Sequence, residues 1–398
     1  LLYHERRENP FNLGGVSIFD GTIPAAELIA LLEARLDLIP RYGQRLVREP
    51  LNLGHPVWED DSRFNVREHV REHLLTPPGS EDQLRELAAV VMSERLDRSK
   101  PLWDLTVVQG LPGGQTALIT RIHHCMVDGV AGVELMKILL DQSSESAIDR
   151  QPTPTRRSVR EQSAADPGRR IFDAVLGGME ELMNRALDIN DTLLNLAESA
   201  ISGRAQELPP DPAPQVTVPL APVEPLPFNG PLSGEHEFNW LKIPMAEARA
   251  IRAALRGSIN DVILTIIGGA ITSYLLEIGQ SIAGRRSRVM VPVNVRANRT
   301  SGTVGNGISF LPVEVPLDLM EPRRLFAAIS RQTSFMKQNR LAEMVNLLIS
   351  GYGALPAPIQ AAVGATIPSR ILPFNLISTN VPGPPLPLFT LGRRLLAH

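Results

Sequence analysis

Residues 116–130 read TALITRIHHCMVDGV, and this stretch sets two adjacent histidines at the end of a predicted strand. The alternation of apolar and β-branched residues over 116–123 predicts the strand. A second run at 104–111, joined to it through a Gly-Gly turn, predicts its antiparallel partner. His123 and His124 therefore stand where a strand has just ended.

An Asp-Gly pair follows the histidines and marks a turn. Gly129 permits backbone angles that a side chain would forbid, and Asp128 can hold local backbone or a nearby arginine. A helical period resumes over residues 132–142. The histidines thus lie between a strand and a helix.

Three interpretations of the two histidines compete: ordinary strand residues with satisfied hydrogen bonds, metal ligands, or a general base. Neighbouring side chains on a strand point to opposite faces, so His123 and His124 are poorly placed to ligate one ion, and Cys125 is not spaced as a further ligand. A neutral imidazole, with an unperturbed pKa near 6.5, can take a proton from a hydroxyl and return it to a leaving group.

No serine or cysteine nearby is placed as a nucleophile for such a base. Cys125 follows His124 directly, so their side chains diverge, and Cys125 is expected to be a small apolar filler. The chemistry that remains is direct transfer, with a bound alcohol or amine as the nucleophile.

Strand and helix alternate in both halves of the chain. Residues 16–21 predict a strand closed by an Asp-Gly turn, and residues 23–36 place leucine and isoleucine on one face of a helix. We expect an α/β fold of two domains whose mixed sheets face each other, with boundaries at 1–141, 142–234 and 235–398. In the second half, strands are predicted at 236–243, 288–296, 307–316 and 371–382, and helices up to Leu255, from Asn260 and near 322–350.

The segment 142–234 has the composition of a linker. An arginine-rich tether runs to Arg170, a leucine-striped helix is predicted over 171–201, and dense prolines at 208–234 predict an extended crossing segment. Arginines beside an amphipathic helix are typical of peripheral association with a membrane or lipid inclusion. The alternative is that the stripe packs against the protein's own domains.

Composition limits the classes of function. The 398 residues suffice for about two domains, and the formal net charge of −3 gives no global attraction for nucleic acid, which is not an expected partner. One cysteine permits no intrachain disulfide, so a cytoplasmic location is the default. The first residues lack the pattern of a signal peptide, and without an initiator methionine the chain is expected to start inside its gene product. The apolar run Val262 to Leu276 is shorter than a membrane span and predicts a buried helix.

Eight stretches along the chain occur in an order and spacing typical of one family: NLGGVSIFDG (12–21), PVWEDDSRFNVREHV (56–70), ERLDRSKPLWDLTVVQGL (94–111), HHCMVDG (123–129), INDVILTIIGGA (259–270), VPVNVR (291–296), GNGISFLPVEVP (305–316) and NLISTNVPGP (375–384). They resemble the bacterial wax ester synthase/acyl-CoA:diacylglycerol acyltransferase family, within the acyl-CoA-dependent acyltransferase superfamily. His-His-x-x-x-Asp-Gly alone is shared with peptide-synthetase condensation domains, but Pro101-Leu102-Trp103, Asn260-Asp261 and the Asn380 to Pro384 stretch favour the wax ester family.

The resemblance implies two chloramphenicol-acetyltransferase-like domains with a tunnel between them. Acyl-CoA would enter from one side and a long-chain alcohol or diacylglycerol from the other, giving a wax ester or triacylglycerol. No metal or cofactor beyond the acyl-CoA substrate is expected. Family members continue past the Asn380 to Pro384 stretch, so the second domain is expected to be truncated at His398, which could leave a sheet edge unpaired.

The resemblance also assigns roles to residues. His124 would be the general base, His123 a supporting residue, and Asp128, beside Gly129, a structural acid that shapes the turn. Trp103 is expected to be structural. Asn260 and Asp261 match the family's Asn-Asp pair, although Ser258 to Asp261 also makes a good helix cap, and the predicted oxyanion donors are Ser378, Thr379 and Asn380.

Two other functions stay open. A lipid-binding or inclusion-coating protein could keep the tunnel without turnover. A condensation-domain-like enzyme would form an amide or ester with the help of a carrier protein.

Overall fold

The computed structural model describes residues 2, 5–47, 56–126, 140–145, 223–294, 308–339, 341, 342, 345, 360, 374–381, 383 and 386–398. The predicted helix at 132–142 falls almost wholly outside these residues. So do Asp128, Gly129, the leucine-striped segment 171–201 and most of the proline-rich segment.

A mixed sheet dominates the first half of the chain. Its strands are β1 (Asn12–Phe19), β4 (Val70–Leu74), β5 (Trp103–Gln109), β6 (Thr116–His123), β10 (Phe389–Thr390) and β11 (Arg393–Ala397), and their order is β10-β11-β1-β6-β5-β4. The β4–β5 pair is parallel and the other neighbours are antiparallel. A separate antiparallel ribbon joins β2 (Gln44–Val47) to β3 (Val57–Asp60).

Helices cover both faces of this sheet. Leu118 and Ile122 of β6 pack in one cluster with α1 (Ala25–Arg35), whereas Ala117 and Ile119 pack in another with α2 (Glu81–Ser93). This alternation follows from the period of two along a strand. The predicted 16–21 strand with its helix, and the predicted β5–β6 pairing, are confirmed.

The second half forms a smaller sheet with order β8-β7-β9, made by β7 (Arg286–Asn294), β8 (Ile308–Pro316) and β9 (Leu376–Ile377). Strand β7 pairs antiparallel with β8 and parallel with β9. The helices of this half are α3 (Met245–Leu255), α4 (Ile259–Glu277) and α5 (Pro322–Gln338). The core of this half contains side chains from α4, α5, β7 and β8.

The apolar run of helix α4 contains Gly268 because the helix packs closely against β8 at this position. A Cβ atom at Gly268 would lie 2.6 Å from the Cγ1 of Val315, so only glycine lets α4 approach β8 this closely. Among the described residues α4 alone has the length and composition of a membrane span. The predicted buried helix is correct for one face, since Leu264 and Leu275 are buried, but Ile266 on the other face is exposed.

Two segments of the second half contact the first half instead. The predicted strand at 236–243 is wrong, because these residues form no regular strand; Phe238 and Trp240 pack against the α2 cluster. The Arg85 guanidinium lies 4.8 Å from the centre of the Trp240 ring. This aromatic packing takes the place of strand pairing.

Strand β11 also departs from the expected organisation. It pairs antiparallel with β1, with Phe19 opposite Leu395, so the last strand completes the first sheet. The expectation that everything after residue 234 builds the second domain is therefore too simple. The boundaries at 1–141, 142–234 and 235–398 stay a prediction.

Candidate active site

The two histidines at the end of strand β6 lie in different environments. His123 is the last residue of β6, its imidazole is 1% exposed, and its backbone N–H donates to the carbonyl of Leu102 at 2.9 Å. His124 begins the turn, is half-buried, and donates its backbone N–H to the carbonyl of Phe11 at 2.7 Å. Backbone hydrogen bonds therefore hold the end of the strand and the first residue of the turn.

The His123 ring is held neutral. The backbone N–H of Cys125 donates to Nδ1 of His123 at 3.0 Å, so the proton of the neutral ring resides on Nε2. Burial, and after it the nearby positive charge of Arg98, lowers the pKa of His123 to about 4. A ring that stays neutral down to this pH is a weak base, which leaves His124 as the better candidate.

An enclosed carboxylate lies beside His123. Oε1 of Glu5 is 3.8 Å from Nε2 of His123, and both side chains are 1% exposed. Glu5 forms an ion pair with Arg98, and its Oε2 lies 3.4 Å from Arg95. Sequence reasoning missed Glu5, because about ninety residues separate it from its partners and no local pattern marks it.

His124 has one enclosed nitrogen. Its Nδ1 is buried and has no hydrogen-bond partner among the described residues. Asp128 and Gly129 lie outside the described residues, so their predicted roles at the turn stay predictions.

Cys125 is a free, partly buried thiol that packs against the first core. Burial raises the pKa of this thiol to about 11, so it is protonated at neutral pH and unsuited to nucleophilic attack. The expectation of an apolar filler is confirmed. In the ranges that the structure describes, no cluster of three histidine, cysteine or acidic side chains is arranged to hold a metal ion.

Asn260 and Asp261, at the start of α4, make different contacts. Asp261 is buried: its Oδ2 accepts from the Ser258 backbone N–H at 2.7 Å, its own N–H donates to the Ser258 hydroxyl, and its Oδ1 accepts from the Thr333 hydroxyl at 2.8 Å. The helix-cap interpretation is therefore confirmed for Asp261, which also ties α4 to α5. Asn260 is half-buried, and its Oδ1 accepts a 2.8 Å hydrogen bond from Nδ2 of Asn380.

The polar cluster after β9 is only partly assembled. Ser378 uses its backbone N–H to bond the carbonyl of Met290 at 2.9 Å, which extends the β7–β9 pairing. Thr379 and Asn380 are exposed. The structure thus brings Asn380 to Asn260, whereas among the described residues no hydrogen bond joins this pair to His124.

Trp103 lies in the core. It donates from Nε1 to the carbonyl of Tyr42 at 2.8 Å and stacks on His69 with ring centres 4.5 Å apart. The expected structural role is confirmed. A cavity of about 230 Å³ opens nearby, lined by His69, Phe64 and Lys100 among others, but neither residue of the double histidine lines it. The predicted tunnel between the two halves stays a prediction.

Comparison with known proteins gives matches over nearly the whole chain. Residues 1–263 match the family model of the wax ester synthase/diacylglycerol acyltransferase catalytic domain, and residues 304–398 match that of the WS/DGAT C-terminal domain. The probable diacylglycerol O-acyltransferase tgs1 of Mycobacterium tuberculosis is 32% identical over 386 residues, which cover 96% of this chain and 79% of that protein. The probable diacylglycerol O-acyltransferase tgs2 of the same species is 26% identical, with 98% and 83% covered.

Solved structures share the fold. The wax ester synthase/diacylglycerol acyltransferase from Marinobacter aquaeolei VT8 superposes with a TM-score of 0.59 at 21% identity, over 100% of this chain and 83% of that one. The first condensation domain of the calcium-dependent antibiotic synthetase, in complex with a substrate analogue, gives a TM-score of 0.51 at 14% identity, with 97% and 78% covered. The predicted α/β architecture is confirmed by these likenesses.

Proposed function

The chain belongs to the wax ester synthase/diacylglycerol acyltransferase family and is an acyltransferase. From this premise we propose which substrates the protein uses and what its residues do in the reaction. A fatty acyl group moves from acyl-CoA to the hydroxyl of a long-chain alcohol or diacylglycerol, giving a wax ester or triacylglycerol. The observation that carries the proposal is the 32% identity to a probable diacylglycerol O-acyltransferase across 96% of the chain.

His124 acts as the general base. Since Nδ1 is enclosed, Nε2 is the nitrogen that takes the proton from the acceptor hydroxyl. The resulting oxygen nucleophile attacks the thioester carbonyl and forms a tetrahedral oxyanion. Collapse breaks the carbon–sulfur bond, and the imidazolium returns its proton to the departing CoA thiolate, so the ring ends as it began. Such proton transfer contributes about 10²–10⁴ in rate.

The other predicted residues at the turn support His124. Neutral His123 precedes it in the chain and adds no positive charge that would weaken the neighbouring base. Asp128 and Gly129 shape the turn that carries His124 into the following segment. Neither His123 nor Asp128 exchanges a proton with substrate in this scheme.

Asn380 is the favoured oxyanion donor. A side-chain amide carries two N–H bonds, and the hydrogen bond to Asn260 uses one of them and fixes the orientation of the other. A preoriented donor of this kind stabilises charge as it develops, which is worth more than a donor that must reorient. The hydroxyls of Ser378 and Thr379 lie next to it in the chain and complete the polar cluster.

No metal or cofactor takes part in this scheme. Both reactants bind together, and orienting two bound reactants contributes about 7–11 kcal/mol to lowering the barrier. The acyl-CoA supplies the activated acyl group through its thioester.

A substrate panel tests the function. Purified protein is incubated with palmitoyl-CoA and, separately, hexadecanol, a diacylglycerol or a fatty amine, and products are identified by mass. Ester formation with stoichiometric release of CoA supports the proposal. Ester formation from free acyl-CoA also excludes the condensation-type alternative, which needs a carrier protein. Substrate binding without product in any reaction would favour a lipid-binding or inclusion-coating protein.

For location, we propose a cytoplasmic protein that rests on membranes or lipid inclusions, where its oily substrates reside. The support is compositional: six arginines over residues 150–170 precede a leucine-striped segment at 171–201. Flotation with anionic liposomes compares the full chain with a deletion of residues 142–205. Equal binding by the two proteins would contradict the proposal.

A further inference from the structure

The N-terminal segment wraps around the end of β6. The carbonyl of Phe11 accepts from the backbone N–H of His124 at 2.7 Å, and Asn12 is the β-partner of His123. Before that, the chain places Glu5 against the His123 ring. The double-histidine turn is therefore contacted by a segment more than one hundred residues earlier in the chain.

The Glu5 side chain is so deeply buried that the cost of removing its charge from water must be offset by nearby groups. An ionised carboxylate removed from water is costly unless it is paired and hydrogen-bonded. Arg98 supplies an ion pair from the loop between α2 and β5, and Arg95 from the same loop approaches to 3.4 Å. The Arg98 side chain also donates to the carbonyl of Leu2 at 3.2 Å, which ties the N-terminal segment to this loop.

The His123 ring presents its proton toward this carboxylate. Nδ1 is occupied by the Cys125 amide, and Nε2 is buried with no hydrogen-bond partner in the described part of the chain. Oε1 of Glu5, at 3.8 Å, is the acceptor that faces this Nε2. An attraction at that distance orients a ring without transferring its proton.

We infer that Glu5 is a positioning residue: its enclosed carboxylate, held by Arg98 and Arg95, fixes the orientation of the His123 ring and thereby the turn from which His124 reaches substrate. The inference rests on the proposed role of His124. It assigns a function to the N-terminal segment, which the double-histidine motif does not include. Glu5 itself touches neither substrate nor the reacting atoms.

Steady-state kinetics with palmitoyl-CoA test this assignment. Glu5→Ala removes the acceptor and is expected to lower kcat about tenfold or more while KM changes little, because a displaced base slows the chemical step. Glu5→Gln keeps an acceptor oxygen in the same place and is expected to recover most of that loss. The matched control is Glu8→Ala, an exposed residue of the same segment, which is expected to behave like the wild type.

Nitrogen NMR of labelled histidines provides a second measurement that needs no turnover. The His123 signal, assigned by its loss in His123→Gln, is expected to show a single neutral form with the proton on Nε2. Glu5→Ala is expected to broaden this signal or mix it with the other tautomer, and Glu5→Gln to leave it as in the wild type.

Wild-type kcat and an unchanged His123 signal in Glu5→Ala would overturn the inference, and so would a Glu5→Gln variant that is no better than Glu5→Ala in either measurement. If Glu5→Ala does not fold, Glu5→Asp replaces it: the shorter side chain withdraws the carboxylate from His123, and wild-type values in both measurements would again overturn the inference. Absence of turnover in the wild type would contradict the proposed function, while the NMR comparison would still test the Glu5 contact.

Discussion

Asn380 donates its side-chain amide to the Oδ1 of Asn260 at 2.8 Å and so links the loop after β9 to the first turn of α4. If Asn380 stabilises the oxyanion and Asn260 orients it, the two residues act as a unit. Their effects on catalysis are then expected to be non-additive.

A double-mutant cycle measures this coupling. Asn380→Ala is expected to lower kcat by about 10²-fold, the effect of losing one preorganised donor. Asn260→Ala is expected to cost less, and the double variant no more than Asn380→Ala alone. The exposed Asn339→Ala serves as control. Additive losses in the double variant would show that the two residues act independently.

Arg121 and Asp104 form a buried ion pair between β6 and β5, two residues before His123. Nε of Arg121 lies 3.0 Å from Oδ1 of Asp104, and Nη1 donates to the carbonyl of Glu94 at 2.8 Å, just after α2. Asp104→Ala leaves a buried guanidinium without its nearest carboxylate and is expected to lower the free energy of unfolding by about 3–5 kcal/mol.

Urea denaturation checks that value. The control Asp82→Ala removes one of the two carboxylates that pair with Arg85 on the surface of α2 and is expected to cost less than about 1 kcal/mol. Similar small losses for both variants would mean that the buried pair contributes little. A double replacement, Arg121→Met with Asp104→Leu, is expected to recover much of the loss, because no unpaired charge remains.

The pH dependence of stability follows from His123. Its pKa is lowered from 6.5 to about 4, so between these values the unfolded chain binds a proton that the folded chain does not. Stability contributed by neutral His123 is complete above pH 6.5 and is lost as the pH falls toward 4, by about 3 kcal/mol in all.

Burial also lowers the pKa of His69 and His398, so these histidines add to the pH dependence of stability. The contribution of His123 is therefore measured as the difference between the wild type and a variant that lacks His123. Unfolding free energies from pH 7 to pH 4 are compared for the wild type and His123→Gln, and the variant is expected to show the shallower slope. Parallel curves would exclude a contribution from His123.

Cys125 tests whether the transfer is direct. With its pKa raised to about 11 by burial, the thiol is protonated at neutral pH, and Cys125→Ala is expected to retain kcat within about twofold. Mass spectrometry of the wild type during turnover is expected to show no acylated protein. A large loss of kcat in Cys125→Ala, or a thioester adduct on this residue, would indicate a covalent route.

Local patterns predicted the parts of the fold that depend on neighbours in sequence. The β5–β6 hairpin follows from alternation and a Gly-Gly turn, and the cap at Asp261 follows from Ser258 three residues earlier. The contact between Asn260 and Asn380 joins residues whose importance the motifs indicated, but the motifs do not specify the hydrogen bond between them.

Long-range contacts account for what sequence reasoning missed. The predicted strand at 236–243 does not form, because Trp240 packs against the apolar cluster that includes α2 and lies over the Arg85 guanidinium. No pattern in residues 393–397 specifies β1 as their partner. Glu5 is recognisable only when the fold brings it to Arg98 and His123.

If the His124 imidazole is the base for acyl transfer, its removal slows thiol release from palmitoyl-CoA in the presence of hexadecanol or a diacylglycerol. His124→Ala is expected to lower kcat by about 10²–10⁴-fold, whereas His73→Ala, on an exposed position of β4, is expected to match the wild type. A His124→Ala protein that releases CoA and forms ester at the wild-type rate would exclude His124 as the base.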